Sequence, residues 1–102
     1  MSLYARVNET QWNPERVEEG IKLTEETIIP AYEKHPGFRG YFLLTEPGGT
    51  GAMAITMWDS EENMESSAGI AKAMVGELKG ILRAPPDTRH YEVMFNVQPA
   101  GD

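Results

Sequence analysis

The chain reads as one α+β domain with the element order β-α-β-β-α-β and a four-stranded antiparallel sheet. Three observations predict it. Between Tyr41 and Ser60, two apolar, β-prone runs flank a Pro47-Gly48-Gly49 turn, which is the pattern of a hairpin. The second run stops at Trp58 and passes directly into Asp59-Ser60-Glu61-Glu62, a helix start. Segments of period two and of helical period lie on both sides of this unit.

In order, Leu3, Ala5 and Val7 alternate with Tyr4, Arg6 and Asn8, giving β1 two chemically different faces. Asn13-Pro14 opens the first helix, because Asn accepts from free amides and Pro fits the first helical position with no bond to lose. Val17, Ile21, Thr24, Ile28, Ala31 and Tyr32 form its apolar stripe, opposite a solvated, Glu-rich face. Pro30 is expected to kink or end the helix, and Lys34-His35-Pro36-Gly37 closes the segment. Phe38 to Thr45 is β2 and Ala52 to Trp58 is β3. Asp59 and Ser60 cap a second helix, with Glu62 in capping-box spacing from Asp59. That helix spans Ser60 to Leu82, with Met64, Ala68, Ala71, Val75, Leu78 and Leu82 on its apolar side. Gly69, Gly76 and Gly80 weaken it, so a break is expected near Gly76. After an Ala84-Pro85-Pro86-Asp87 loop, Tyr91, Val93, Phe95 and Val97 alternate with polar neighbours as β4, and the domain occupies 1–102 with an ordered core over about 3–97.

This order gives a ferredoxin-like sheet with both helices on one face. The other face is expected to carry Trp58, Met94 and Phe38 together with Arg6, Asn8 and Glu92. It is too apolar for water, and the economical cover is the sheet of a second copy. Two such sheets close an eight-stranded α/β barrel able to hold one small ligand, so a homodimer is expected.

At 102 residues the chain supports one modest core. It has no cysteine, hence no disulfide, thiolate metal site or cysteine nucleophile. No stretch approaches the roughly eighteen apolar residues of a membrane span, and the Met1-to-Arg6 segment enters a strand pattern directly, so a cytoplasmic protein is the expectation. The net charge of −7 repels nucleic acid and anionic lipid. A small aromatic molecule or another copy of the chain suits it better as a partner.

The Pro36-Gly37-Phe38 step, the Ile55-to-Glu62 junction through Trp58-Asp59-Ser60, and the element order together resemble the antibiotic biosynthesis monooxygenase-like domains of the dimeric α/β-barrel superfamily, over about residues 3–97. The resemblance implies a dimeric barrel and, in part of that family, cofactor-free oxygenation of phenols, anthrones or quinols. In the haem-degrading branch, an Asn on β1, a Trp closing β3 and a His on the second helix form the site. Asn8 and Trp58 match the first two, but Ser60 to Leu82 contains no His, so neither haem nor any other cofactor is expected.

Four residues are candidates for chemistry. Asn8 can hold an oxygen as it becomes an anion, or it is simply a polar residue near a strand end. Trp58 offers a flat wall and one indole donor, or serves as a core aromatic. Arg6, if inward, needs a partner such as Glu92, either as an ion pair or to receive a phenolate. His90 has the intrinsic pKa of a general base, although it stands at the start of β4 where a surface histidine is ordinary. His35 reads as structural. Pro47-Gly48-Gly49-Thr50-Gly51 lacks the Gly-Lys-Ser/Thr of a phosphate loop and is a hairpin turn, and no residue spacing suggests a metal site. Two functions follow: a cofactor-independent monooxygenase of a phenolic or quinol-type molecule, or a non-catalytic dimeric barrel that binds a small molecule or only assembles.

Overall fold

The computed structural model describes residues 2–100. Strands β1 (Leu3–Gln11), β2 (Phe38–Thr45), β3 (Gly51–Trp58) and β4 (Asp87–Val93) form one antiparallel sheet in the order β2-β3-β1-β4. Both crossover segments pack on the same face, where Ile28 and Tyr32 from the first meet Met64 from the second around Trp58. The α+β, ferredoxin-like architecture read from the sequence is the one observed.

The first crossover is composite. Asn13 caps a 3₁₀ turn at Pro14–Arg16 by accepting from the Glu15 amide at 3.1 Å, and α1 (Val17–Leu23), a π turn at Thr24–Ile28 and α2 (Ile29–Glu33) follow. Pro30 does not end the helix. Its ring would crowd the carbonyl one turn back, and the wider π turn just before it supplies the room. The buried stripe is Gly20, Thr24, Ile28 and Tyr32, whereas Ile21 is 45 % exposed and lies off it. Gly20 is on the stripe because the Trp12 indole lies against it: a Cβ there would stand 2.4 Å from Trp12 Cζ3.

The second crossover breaks at Ser67, between α3 (Glu61–Ser66) and α4 (Ala68–Glu77), and α4 then ends beside Gly76, where a break was expected, short of Leu82. Its cap is Ser60, which accepts from the Asn63 amide at 3.1 Å, while the Asn63 side chain reaches back to Asp59 Oδ1 at 2.7 Å; Glu62 plays no part in that pair. Gly37, at φ +82°, sits against both side chains, and its carbonyl accepts from the Asp59 amide at 2.9 Å. The Pro36-Gly37 step and the Trp58-Asp59 junction are therefore two sides of one contact, which fixes where β2 starts and β3 ends.

Strand register sorts the side chains into rows. Towards the helices lie the rows Glu92, Tyr4, Trp58, Phe38; His90, Arg6, Thr56, Tyr41; and Thr88, Asn8, Ala54, Leu43. Away from them lie Tyr91, Ala5, Met57, Gly40; Arg89, Val7, Ile55, Phe42; and Asp87, Glu9, Met53, Leu44. This corrects the facing expected from sequence: Arg6, Asn8, Trp58, Phe38 and Glu92 are on the helix face. The reason is reach and polarity. The helix side supplies carbonyls and hydroxyls that a long polar side chain can meet, and the small aliphatic residues of β1 can pave a flat outer face. The fourth strand also lies earlier than expected, so His90 is at its centre, and Met94, Phe95 and Val97 are exposed beyond its end.

Gly20→Ala is expected to lower stability by about 1–3 kcal/mol through overpacking against Trp12. Urea unfolding should show a lower midpoint at unchanged slope; an unchanged midpoint would contradict the contact.

Candidate functional site in the sheet–helix cleft

An inner cavity of about 40 Å³ lies between the sheet and the helices, walled by Asn8, Thr24, Ile28, Tyr41, Leu43 and Met74 among others. The π turn provides Thr24 and Ile28. Beside the cavity, an open groove of about 500 Å³ runs between α4 and the β1–β4 edge, lined by Arg6, Asn8, Glu65, Lys72, Thr88 and His90. Asn8, Ala71 and Val75 line both spaces. Both spaces lie within one chain, between sheet and helices.

Arg6 is 3 % exposed. Its Nη1 donates to Ser67 Oγ at 2.8 Å, its Nη2 to the Met64 carbonyl at 2.6 Å, and its Nε to His90 Nε2 at 3.3 Å. Met64 gives this carbonyl to Arg6 and to the Ser67 hydroxyl, at 2.6 Å each, where the helix breaks. Burial lowers the Arg6 pKa, and the adjacent Tyr32 phenol opposes that. Among the described residues, no carboxylate forms an ion pair with Arg6, and Glu92, the expected partner, lies one row away opposite Tyr4.

The Arg6 contact decides what His90 can do. A guanidinium only donates, so Nε2 of His90 is its acceptor and the ring proton is on Nδ1. The nitrogen that would take a proton from a substrate is thus occupied. Asn8 accepts at Oδ1 from the Thr88 hydroxyl at 2.5 Å, which leaves its Nδ2 group as the donor for the spaces it lines.

Both tryptophans have their indole donor satisfied in the same way, by a threonine two residues back on the same strand side. Trp58 Nε1 donates to Thr56 Oγ1 at 2.9 Å, and Trp12 Nε1 to Thr10 Oγ1 at 2.8 Å. Trp58 is fully buried and packs edge-on against Tyr32, Phe38 and His35, at ring separations of 5.9, 5.7 and 5.3 Å. It is not on the cavity wall. His35 holds Trp58 from the loop side, with Nε2 3.4 Å from Ser66 Oγ.

No protein-family model matches the chain, and no curated protein sequence is significantly similar to it. Solved structures are similar to it. A Nitrosomonas europaea protein of unknown function matches with a TM-score of 0.76 and 19 % identity, covering 99 % of this chain and 98 % of its own. Another from Nitrosomonas europaea, provisionally described as an antibiotic biosynthesis monooxygenase, matches at 0.77 with 9 % identity over 94 % of both chains. A Streptomyces coelicolor monooxygenase solved with nanaomycin D matches at 0.73 with 18 % identity, over 97 % of this chain and 94 % of its own. The chain has the antibiotic biosynthesis monooxygenase-like fold.

Within this monooxygenase-like fold, the structure brings three of the four candidate residues together. Arg6, Asn8 and His90 share the groove, and Trp58 stands behind them in the core. Sequence reasoning passed over Trp12, Tyr41 and Leu43 as cavity walls. One signal was available: a glycine, threonine and isoleucine at four-residue steps in the first helix, where a small residue on a buried stripe marks a close approach.

Burial pushes the Tyr41 phenol up to about 12, with Tyr32 adding to the shift, and burial raises Tyr32 as well. The folded state keeps a proton that the unfolded chain releases near pH ~10. Stability from this source is therefore complete below that pH and is lost as pH rises toward about 12. Melting temperatures across this range should fall more steeply for the native chain than for Tyr41→Phe; parallel curves would contradict the assignment.

Proposed function

We propose that the chain binds a small aromatic molecule in the sheet–helix cleft and acts on it as a cofactor-independent monooxygenase. The observation that carries this reading is Asn8: its free amide donor stands where a largely apolar inner cavity meets an open groove. The likeness to the monooxygenase solved with nanaomycin D supports it. In such a reaction the ionised substrate gives an electron to oxygen, one oxygen atom enters the ring carbon and the other leaves as water. The residues contribute a dry enclosure and donors for the developing oxyanion. Asn8 is the donor at the cavity, and Arg6 supplies positive potential behind it.

Binding without turnover is the second reading, and the cavity's size favours it. At about 40 Å³ the inner space holds a few waters, and a fused-ring ligand requires α4 to move outward from the sheet. Oxygen uptake over a panel of anthrones, quinols and dihydroxynaphthalenes separates the two. Turnover is expected with at least one, reduced on the order of 100-fold in Asn8→Ala for loss of one anion-stabilising donor. No uptake above buffer on any of them would leave only the binding reading.

The outer sheet face supports a homodimer. Val7, Ile55, Phe42, Met53 and Leu44 share the outer face, with Phe42 and Leu44 about half exposed, and Met94, Phe95 and Val97 are exposed beyond the end of β4. A second copy of the same face is a self-complementary cover. Light scattering is expected to give twice the 11.4 kDa chain mass, and Phe42→Glu should shift it to the monomer; a native monomer at micromolar concentration would rule the dimer out.

A further inference from the structure

We propose that the groove between α4 and the β1–β4 edge binds a small organic anion, a carboxylate or enolate carried on an aromatic ring. Its charge would lie against Arg6, Asn8 and Lys72, with its ring at the mouth of the inner cavity. The inference rests on the cleft's being the ligand site, and it adds the ligand's charge.

Three observations lead to it. The first is the state of Arg6. A guanidinium this deeply buried is expensive to desolvate and is normally matched by a carboxylate. Here its hydrogen-bond partners are a serine hydroxyl, a main-chain carbonyl and the Nε2 of His90, with the Tyr32 phenol adjacent, and no carboxylate pairs with it among the described residues. The second is the polarity of the groove. Lys72 adds another cation, Asn8 presents its Nδ2 donor and His90 carries its proton on Nδ1, while Glu65 is the one carboxylate among the lining residues. In a chain of net charge −7 this is a local reversal of sign, and low-dielectric walls concentrate such a field. The third is the engagement of two groups that could act as bases. Arg6 occupies His90 Nε2, and the Tyr41 phenol is held protonated, so neither is placed to ionise a neutral phenol. A site built from donors fits a ligand that arrives already ionised.

The test compares 1-naphthoate with its neutral isostere 1-naphthamide by isothermal titration on the full chain. Naphthoate is expected to bind roughly tenfold or more tightly than naphthamide, the factor a charge-assisted contact gives, and its affinity should fall with added salt. Arg6→Met should abolish the preference. Because Arg6 also holds the α3–α4 break, Lys72→Met serves as the second variant: it should fold with an unchanged melting temperature and weaken naphthoate several-fold without affecting naphthamide. Equal binding of the two ligands, salt-independent binding, an indifferent Lys72→Met or no naphthoate binding would each overturn the inference. Oxygen uptake on neutral quinols by a protein that fails this test would sink the anion site and leave the oxygenase reading intact. Naphthoate selectivity without uptake on any substrate would do the reverse.

Discussion

The buried guanidinium of Arg6 ties β1, one of the two central strands of the sheet, to the point where the second crossover breaks. In an unbroken helix the Met64 carbonyl would accept from the amide one turn on; here it faces the sheet and accepts from Arg6 and Ser67. That exchange ends α3 where α4 begins, beside the groove between α4 and the β1–β4 edge. The same side chain fixes the tautomer of His90. Fold and candidate chemistry thus depend on one cation, and its neutral partners hold it in place without discharging it.

Two Trp–Thr pairs frame the cavity on either side of this link. Each indole is buried and satisfied by a threonine on its own strand, so the rings act as fixed volume and not as hydrogen-bond donors to a ligand. Trp58 organises the aromatic cluster with Tyr32, Phe38 and His35 at one end. Trp12 fills the other end, where it meets Gly20, Ala52 and Ile81. Between the two clusters the cavity is left open, because Asn8 and Ala54 are too short to fill the row they share with Thr88 and Leu43. The polar identity of the site follows from which atoms remain uncommitted after these bonds are made: a carboxamide NH₂, an imidazole N–H and a lysine.

The two faces of the sheet differ in how they are completed. On the helix face the chain supplies its own cover and satisfies long polar side chains with helix carbonyls and hydroxyls. On the outer face the rows around Val7, Ile55 and Phe42 have no cover among the described residues. The cleft on the helix face and the apolar rows on the back of the sheet therefore draw on different residues.

The sequence by itself determined the element order, the hairpin, the helix starts at Asn13 and at Asp59-Ser60, and the antiparallel sheet, because these depend on local periodicity and on turn and cap chemistry. It also pointed to Arg6 as a charge on an alternating strand, to Asn8 through the family resemblance and to His90 as a histidine within a strand. Only the tertiary structure decided which strand face meets the helices. A period-two strand pattern has two faces, and nothing local says which is inward when one is small and aliphatic and the other carries Arg6, Asn8 and Tyr4. The helix break at Ser67 and the continuation through Pro30 were likewise settled by partners distant in sequence: Arg6 on β1 for the first, and for the second a π turn packed against the sheet. The role of Trp58 changed for the same reason, since an aromatic that closes a strand is read as a wall or as core only once the rings around it are in place.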